Sequence, residues 1–489
     1  MDTSSIPNPP YPPFAMGGFQ SKPFSQEGTS LFEKGRSRGI EQCIGMRKLL
    51  AAMSALTISI ATATPNIPPP PQSTPLLLTG ATLHTVSGPS IPNGDMLIDK
   101  GKIAAIGAAG NVNAPPNAQR IDLKGKHIYP GFIAANTAIG LVEISAVRAT
   151  LDQVETGTNN PNSRALVAVN ADSEIIPVTR ANGVLAALAV PRAGVAGGVG
   201  GISALLQLDG WTWEDMGLVR EAGLHVFLPA MRFGTAMTPT LSAARIEEMQ
   251  KASTARLRVL DDEFETAKAY AKAADAGDVT IADTRMESMR PLFAARRPVF
   301  VHADDIAQIR YALGFAERHG VNIVIVGGYD APHVAPLLKA KNIPVIIGGV
   351  HRLPLRRGEN PDTPNAIAAK LHQAGVKFAI ARNGAAFDAA RERSLPFEAA
   401  ATIAYGLPRD EALKSITLYP AEILGAADRL GSLDKGKLAS FFVSDGDPLE
   451  IRTNIERVFI QGREIALEDK QTKLRDKYQE RYRQLGVTK

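Results

Sequence analysis

The chain of 489 residues contains one cysteine, Cys43. A single cysteine cannot form a disulfide within its own chain, and no thiol follows it that could act as a nucleophile or as a thiolate metal ligand. Disulfide-stapled scaffolds, cysteine hydrolases and thiolate zinc sites are therefore excluded for residues 44–489.

Blocks of basic residues and long apolar runs are also missing. The chain has 54 Lys and Arg against 49 Asp and Glu, and its net charge of +5 is spread over the whole length. This pattern does not indicate nucleic-acid binding. The apolar run after Met46 has roughly a dozen residues, whereas a membrane-spanning helix needs about 20. We therefore expect no permanent membrane span.

The stretch that begins at Met46 has the three parts of a signal peptide. Two basic residues precede the apolar run, and Ala61-Thr62-Ala63 gives a small-x-small cleavage pattern. We predict a signal peptide over residues 46–63 and a periplasmic or secreted bacterial protein, with an uncleaved anchor as the weaker alternative. Residues 1–45 are then a disordered or mis-assigned start, with Met46 in place of Met1, and residues 64–75 form a Pro-rich linker.

Short strand patterns occur near both ends of the remaining chain. Residues 76–130 include LLLTGATLHTV and GDMLIDKGKIAAIG, and residues 426–466 include GKLASFFVSDGDPL and RVFIQGREI. Each set is too small for a stable sheet of its own. We predict that the two sets pair in one composite β-sandwich domain, followed by a charged surface helix over residues 467–489.

Residues 131–425 alternate apolar, strand-like runs with segments of helical periodicity. The runs include GVLAALAVP, RPVFVHA, NIVIVGG, IPVIIGG and VKFAIAR. Continuous apolar strands joined through helices indicate a parallel sheet covered on both faces. An α/β fold with a (β/α)8 TIM barrel explains this number of repeats, and a doubly wound open sheet is the alternative.

Polar residues stand where several barrel strands are predicted to end. In a barrel of this kind, function gathers at the carboxyl ends of the strands. The candidate pocket residues at these positions are Asn136, His302, Asp304, His351, Arg382 and Asn383.

Several segments together resemble the amidohydrolase superfamily, and its imidazolonepropionase-like branch in particular. They are PGFI at the first barrel strand, VHADD in the interior, DEALKSITLYPAEILGAADRLGSLDKGKLASFFVSDGDPLE and the closing RVFIQGREI. The resemblance covers residues 76–465 and implies a barrel with a sandwich made from both chain ends. It also implies metal-assisted hydrolysis of carbon–nitrogen bonds, commonly in cyclic amides, by a metal-bound water.

The residues that would hold the metal depart from the family pattern. The His-x-His pair after strand one is replaced by Asn136 and Ala138, and the strand-six histidine falls near Gly327 or Gly328. The aspartate after strand eight is replaced by Asn383, next to Arg382. His302 is the only matching family ligand. Catalytic zinc needs about three protein ligands, so no metal cofactor is expected, and Arg382 should make the site tolerant of anions.

The glycine-rich stretch VPRAGVAGGVGGISALLQLDG, residues 190–210, matches neither G-x-G-x-x-G nor a Walker motif. We predict a flexible loop over the barrel mouth.

Three functional hypotheses remain open. The first is a secreted, non-catalytic binding or supporting homologue with a degenerate metal site and no assignable catalytic residue. The second is an active hydrolase that holds zinc with unorthodox ligands, such as His302 and loop carboxylates. The third is a structural subunit that pairs with an intact paralogue. A small-molecule ligand and a homo-oligomer are compatible with the first.

Overall fold

The computed structural model describes residues 67–194, 197–233 and 241–487. The predicted signal peptide, the start at Met46 and the first three residues of the linker lie outside these ranges. Within the described ranges, no helix combines the length and the apolar character that crossing a membrane requires.

The described strands form two eight-stranded sheets. The first part of one sheet comprises β1 Leu76–Leu83, β2 Ile91–Asp99, β3 Lys102–Ala108, β4 Gln119–Asp122 and β5 His127–Pro130. The other sheet is the barrel and comprises β6 Phe132–Thr137, β7 Val184–Ala189, β8 Gly198–Gln207, β9 Gly217–Phe227, β10 Val299–Ala303, β11 Ile323–Gly327, β12 Val345–Gly348 and β13 Phe378–Ala381. The chain then returns to the first sheet with β14 Phe441–Ser444, β15 Ile455–Ile460 and β16 Arg463–Ile465.

Both chain ends contribute to the first sheet, whose order is β16-β15-β14-β5-β1-β2-β3, with β4 beside β1. The join is the antiparallel pair β5 and β14, in which Tyr129 lies opposite Phe442. Alternate apolar side chains from both parts, among them Leu78, Phe441 and Phe459, pack in one buried core. The composite domain predicted from the sequence is confirmed as part of the fold.

The barrel strands follow one another in sequence order, and β6 lies beside β13, so the sheet is nearly closed. All neighbouring pairs are parallel except those of β8, which runs antiparallel to both β7 and β9. The predicted barrel is confirmed, with one strand reversed. Parallel strands end on the same side, so the carboxyl ends of the other seven surround one mouth.

The glycine-rich stretch is not a loop throughout, and the loop prediction is wrong for residues 198–207. Gly198–Gln207 forms β8, which is buried from its second residue onward. Its glycines fit where neighbouring backbone leaves no room for a side chain: a Cβ on Gly198, at φ +124°, would overlap the carbonyl oxygen of Thr158, and one on Gly200 would lie 2.8 Å from the backbone nitrogen of Ala193. Close backbone approach, rather than mobility, explains this composition.

We expect Gly198→Ala to lower the free energy of unfolding by about 3 kcal/mol, because alanine is strained at this φ and collides with fixed backbone. Gly194→Ala is the matched control, since nothing lies within 4 Å of its Cβ position, and it should change stability by less than about 0.5 kcal/mol. Chemical denaturation of both variants checks the expectation. Equal free energies of unfolding for Gly198→Ala and Gly194→Ala would show that the backbone around Gly198 is not tightly packed.

Eleven helices are described, and most of them follow strands of the barrel. They are α1 Ile175–Arg180, α2 Trp213–Met216, α3 Ala243–Ala276, α4 Thr284–Phe293, α5 Ile306–His319, α6 Ala335–Ala340, α7 Thr363–Ala374, α8 Leu395–Ile403, α9 Arg409–Lys414, α10 Leu418–Ile423 and α11 Lys470–Gln484. Asp305 and Gln308 form a capping box at the start of α5, and Gly320 ends this helix in the left-handed conformation. The C-terminal helix α11 buries none of its residues.

Candidate functional site

A cleft of about 280 Å³ opens among residues at and just beyond the carboxyl ends of the barrel strands. Four of the predicted pocket residues line it: Asn136, His302, Asp304 and Asn383. Arg192, Gln308 and Arg352 also contribute polar side chains to its wall. The volume is near the lower end of the range for small-molecule sites.

His302 is the histidine of the cleft wall, and it is paired with His225, which is fully buried and does not line the cleft. Its Nε2 lies 2.9 Å from Nδ1 of His225 on β9, and its ring stacks on Phe227 with centroids 3.7 Å apart. Burial lowers the pKa of His302 well below its usual value, and His225 and Arg192 add to this effect. Burial, followed by Arg192, lowers the pKa of His225 to about 3. Both imidazoles are therefore uncharged near neutral pH and hydrogen-bonded to each other.

Asn136 lies at the end of β6 and bridges to the end of β13. Its Nδ2 donates to the carbonyl oxygen of Arg382 at 2.8 Å. Its Oδ1 is buried and has no hydrogen-bond partner among the described residues. A Cβ on Gly384, at φ +65°, would lie 2.8 Å from this oxygen. The amide thus connects the first and last strands, and its single oxygen is an uncharged and therefore weak metal ligand.

Arg192 is the main feature of the cleft that the sequence analysis missed. It follows β7, and its Nη1 donates to the carbonyl oxygen of Asn383 at 3.0 Å. The guanidinium carbon lies 5.2 Å from the centre of the Phe227 ring. No described carboxylate lies within 4.0 Å of its side-chain nitrogens. Burial lowers the pKa of Arg192, with Asp388 opposing the effect. The available signal was its place as the first charged residue after a predicted barrel strand.

Asp304 and Arg352 form a loose pair in the wall of the cleft. Arg352 Nη1 lies 3.5 Å from Asp304 Oδ2, and its guanidinium carbon is 5.2 Å from the centre of the Tyr329 ring. Asp304 Oδ1 accepts from the backbone N–H of Tyr329 at 3.3 Å. At a separation of 3.5 Å, each of the two charged groups is only partly neutralised by the other.

The structure places the side chains of Arg382 and His351 outside the lining of this cleft. Arg382 is mostly buried and makes ion pairs with Glu398 and, at 3.2 Å, with Asp388. His351 is about half exposed, and its Nδ1 lies 3.5 Å from Glu398 Oε1. The positive charge that the sequence assigns to Arg382 comes instead from Arg192 and Arg352.

The residues of the cleft do not fit a divalent metal ion. The cleft offers one histidine and one carboxylate, and in the described parts of the chain no group of three or more His, Cys, Asp or Glu is placed to hold a metal ion. Apart from His302, the positions that match family ligands hold amides, an alanine or a glycine, and Arg192 brings a fixed positive charge against Asn383. A second cation at this place would be repelled in a site of low dielectric constant.

The sequence model of the Amidohydrolase family matches residues 212–465. This is slightly more than half of the chain, and the chain belongs to this family. The family prediction made from the sequence motifs is thereby confirmed.

Individual relatives agree with this assignment. The chain is 28% identical to an imidazolonepropionase of Maricaulis maris (strain MCS10) over 185 residues, 37% of this chain and 44% of that protein. It is 43% identical to the amidohydrolase tasK of Hapsidospora irregularis over 65 residues, 13% of this chain and 7% of that protein. The matches thus span less than half the length of either curated relative.

Solved structures share the fold over about four fifths of the chain. An amidohydrolase from Thermotoga maritima MSB8 is 27% identical, with a TM-score of 0.69, and the match covers 80% of this chain and 99% of that one. A molinate hydrolase is 14% identical, with a TM-score of 0.50, over 81% of this chain and 95% of that one. The second likeness concerns the fold alone.

Proposed function

We propose that this protein is an exported amidohydrolase-family homologue that binds a small molecule at its barrel mouth and does not hydrolyse it with a metal-bound water. The observation that carries the proposal is the position of Arg192. Its guanidinium contacts the backbone of Asn383 and lies over the ring that stacks on His302. Asn383 and His302 match the family's strand-eight and strand-five ligand positions, so a permanent cation contacts the backbone of one position and the aromatic ring that packs on the other.

Acid–base chemistry at the mouth supports the same proposal. Asn383 has an amide where the family has an aspartate, and an amide cannot take a proton from an attacking water. His302 shares its Nε2 with His225, and the pKa of each is lowered by burial. The export part of the proposal is supported by residues 46–63 alone, through their basic pair, apolar run and Ala-Thr-Ala end.

One observation favours the alternative of an active hydrolase with unorthodox ligands. His302 and Asp304 line the same cleft, and the only ion pair of Asp304 among the described residues is the loose one with Arg352. Zinc is the cofactor that this alternative would require, with at least one further ligand that the described cleft does not supply.

Metal analysis separates the two proposals. Protein purified after growth with added zinc or manganese should contain far less than one equivalent of either metal, and a chelator should leave its thermal midpoint unchanged. His302→Ala should lose no metal relative to the wild type. His333→Ala, at an exposed position outside the cleft, controls for adventitious binding to surface histidines.

One equivalent of metal that disappears in His302→Ala but not in His333→Ala would overturn the proposal. Hydrolysis of a cyclic amide that a chelator abolishes would overturn it as well.

A further inference from the structure

The guanidinium of Arg192 is a cation that no described carboxylate contacts, although Asp388 is near enough to act on its charge. Its side chain is only partly exposed, and no described carboxylate lies within hydrogen-bonding distance of it. Its described partners are the carbonyl oxygen of Asn383 and the face of the Phe227 ring. Holding such a charge away from water costs free energy unless an anion pairs with it. A side chain of this kind, in the wall of a cleft, indicates an anion that is part of the ligand.

We propose that the cleft binds a small organic acid, whose carboxylate pairs with Arg192 and Arg352 and whose apolar part lies beyond the Phe227 ring. The proposal rests on the proposed function, because it places the anion in the region where a metal-dependent homologue would hold its ion. It deepens that function by naming the chemical class of the ligand.

The charges of the cleft favour a monoanion. Its lining contains two arginines, Arg192 and Arg352, and one aspartate, Asp304, and both nearby histidines are neutral. One net positive charge therefore faces the ligand. A carboxylate neutralises this charge, whereas a phosphate dianion would leave an excess negative charge next to Asp304. The flat guanidinium, with one nitrogen already used on Asn383, retains donors for a carboxylate oxygen.

A second, mainly apolar pocket also includes Phe227, and Arg256 and Glu263 are the charged residues of its wall. It has a volume of about 230 Å³, and Phe227, Pro229, Val259 and Leu260 contribute to its walls. Val259, on α3, is 64% exposed although it is a large aliphatic residue. The polar cleft and the apolar pocket share the Phe227 ring. A molecule that spans both must be charged at one end and apolar at the other.

Binding of simple acids to the full chain tests the proposal. The probes are hexanoate, hexanamide, acetate and inorganic phosphate, with affinities measured by calorimetry or by ligand-observed NMR. Hexanoate should bind more tightly than the other three. Arg192→Gln should weaken hexanoate binding by roughly ten- to a hundredfold, the loss expected for a charge-assisted hydrogen bond. Arg310→Gln, an exposed arginine on α5, is the matched control and should bind hexanoate normally.

Val259→Ser tests the apolar half. It should weaken hexanoate and leave acetate unchanged, because only the longer chain reaches the pocket. Arg192→Gln should also fold, with a thermal midpoint at or above that of the wild type without ligand, because a partly buried charge that no carboxylate contacts is removed.

Equal binding of hexanamide and hexanoate, unchanged affinity in Arg192→Gln, tighter binding of phosphate or no binding of hexanoate would each overturn the inference. None of these outcomes changes the result expected from the metal analysis. The failure of this inference and the failure of the proposed function are therefore distinguishable. One equivalent of metal bound through His302 would contradict the proposed function, whether or not the acids bind.

Discussion

Asp209→Asn is expected to lower the free energy of unfolding by about 4 kcal/mol. Asp209 follows β8, and its carboxylate pairs with Arg180 of α1 at 3.0 Å and with Arg463 of β16 at 2.8 Å. The side chains of Asp209 and Arg180 are 4% exposed, and that of Arg463 is 12% exposed. Removing the shared anion from two buried guanidinium groups has the cost known for breaking buried ion pairs, about 3–5 kcal/mol.

The arrangement also explains how the two sheets are held together. Arg180 and Asp209 belong to the barrel and Arg463 to the composite sheet, so one carboxylate links the two parts of the fold. Denaturation by guanidinium chloride, read by circular dichroism, measures the effect. Asp428→Asn is the matched control, since Asp428 is 71% exposed beside Arg429, and it should change little. A loss below about 1 kcal/mol for Asp209→Asn would show that the linkage contributes little to stability.

The fold could be predicted from the sequence where the pattern of apolar residues determines the secondary structure. Strands such as Val299–Ala303 and Ile323–Gly327 are continuous apolar runs, so their burial on both faces and their parallel pairing could be predicted. Strand β8 could not be predicted in this way, because its high glycine content is typical of a loop. The close contacts of these glycines with Thr158 and Ala193 exist only once distant segments have folded together.

The candidate site, too, could be predicted only in part from the sequence. Asn136, His302, Asp304 and Asn383 could be grouped because the strands they follow end at one mouth. Which of two consecutive residues faces the cleft could not be read from the sequence: Arg382 lies against Glu398 and Asp388, while Asn383 lines the cleft. Arg192 was not predicted as a cleft residue for a related reason. An arginine after a strand is usually a solvated surface residue.

Glu392→Gln is expected to make the protein more stable than the wild type at alkaline pH and to change its stability little at acidic pH. Glu392 is fully buried next to the first barrel strand. Burial raises its pKa from 4.5 to about 8, against the opposing effects of Thr137 and Arg382. Between these two values the folded protein holds a proton that the unfolded chain has released. The contribution of Glu392 to wild-type stability should therefore fall by about 1.4 kcal/mol for each pH unit over this interval.

Glutamine resembles the protonated acid and has no proton to lose, so the advantage of Glu392→Gln should grow as the pH rises from about 4.5 to about 8 and then level off. Glu398→Gln is the matched control from the same buried region. The carboxylate of Glu398 pairs with Arg382 and accepts from the backbone N–H groups of Val350 and His351 at 2.7 and 3.1 Å, so this variant should lose about 3 kcal/mol. Denaturation curves at several pH values measure both effects. A stability difference between Glu392→Gln and the wild type that does not vary with pH would mean that Glu392 is ionised in the folded protein, held by Arg382 despite its burial.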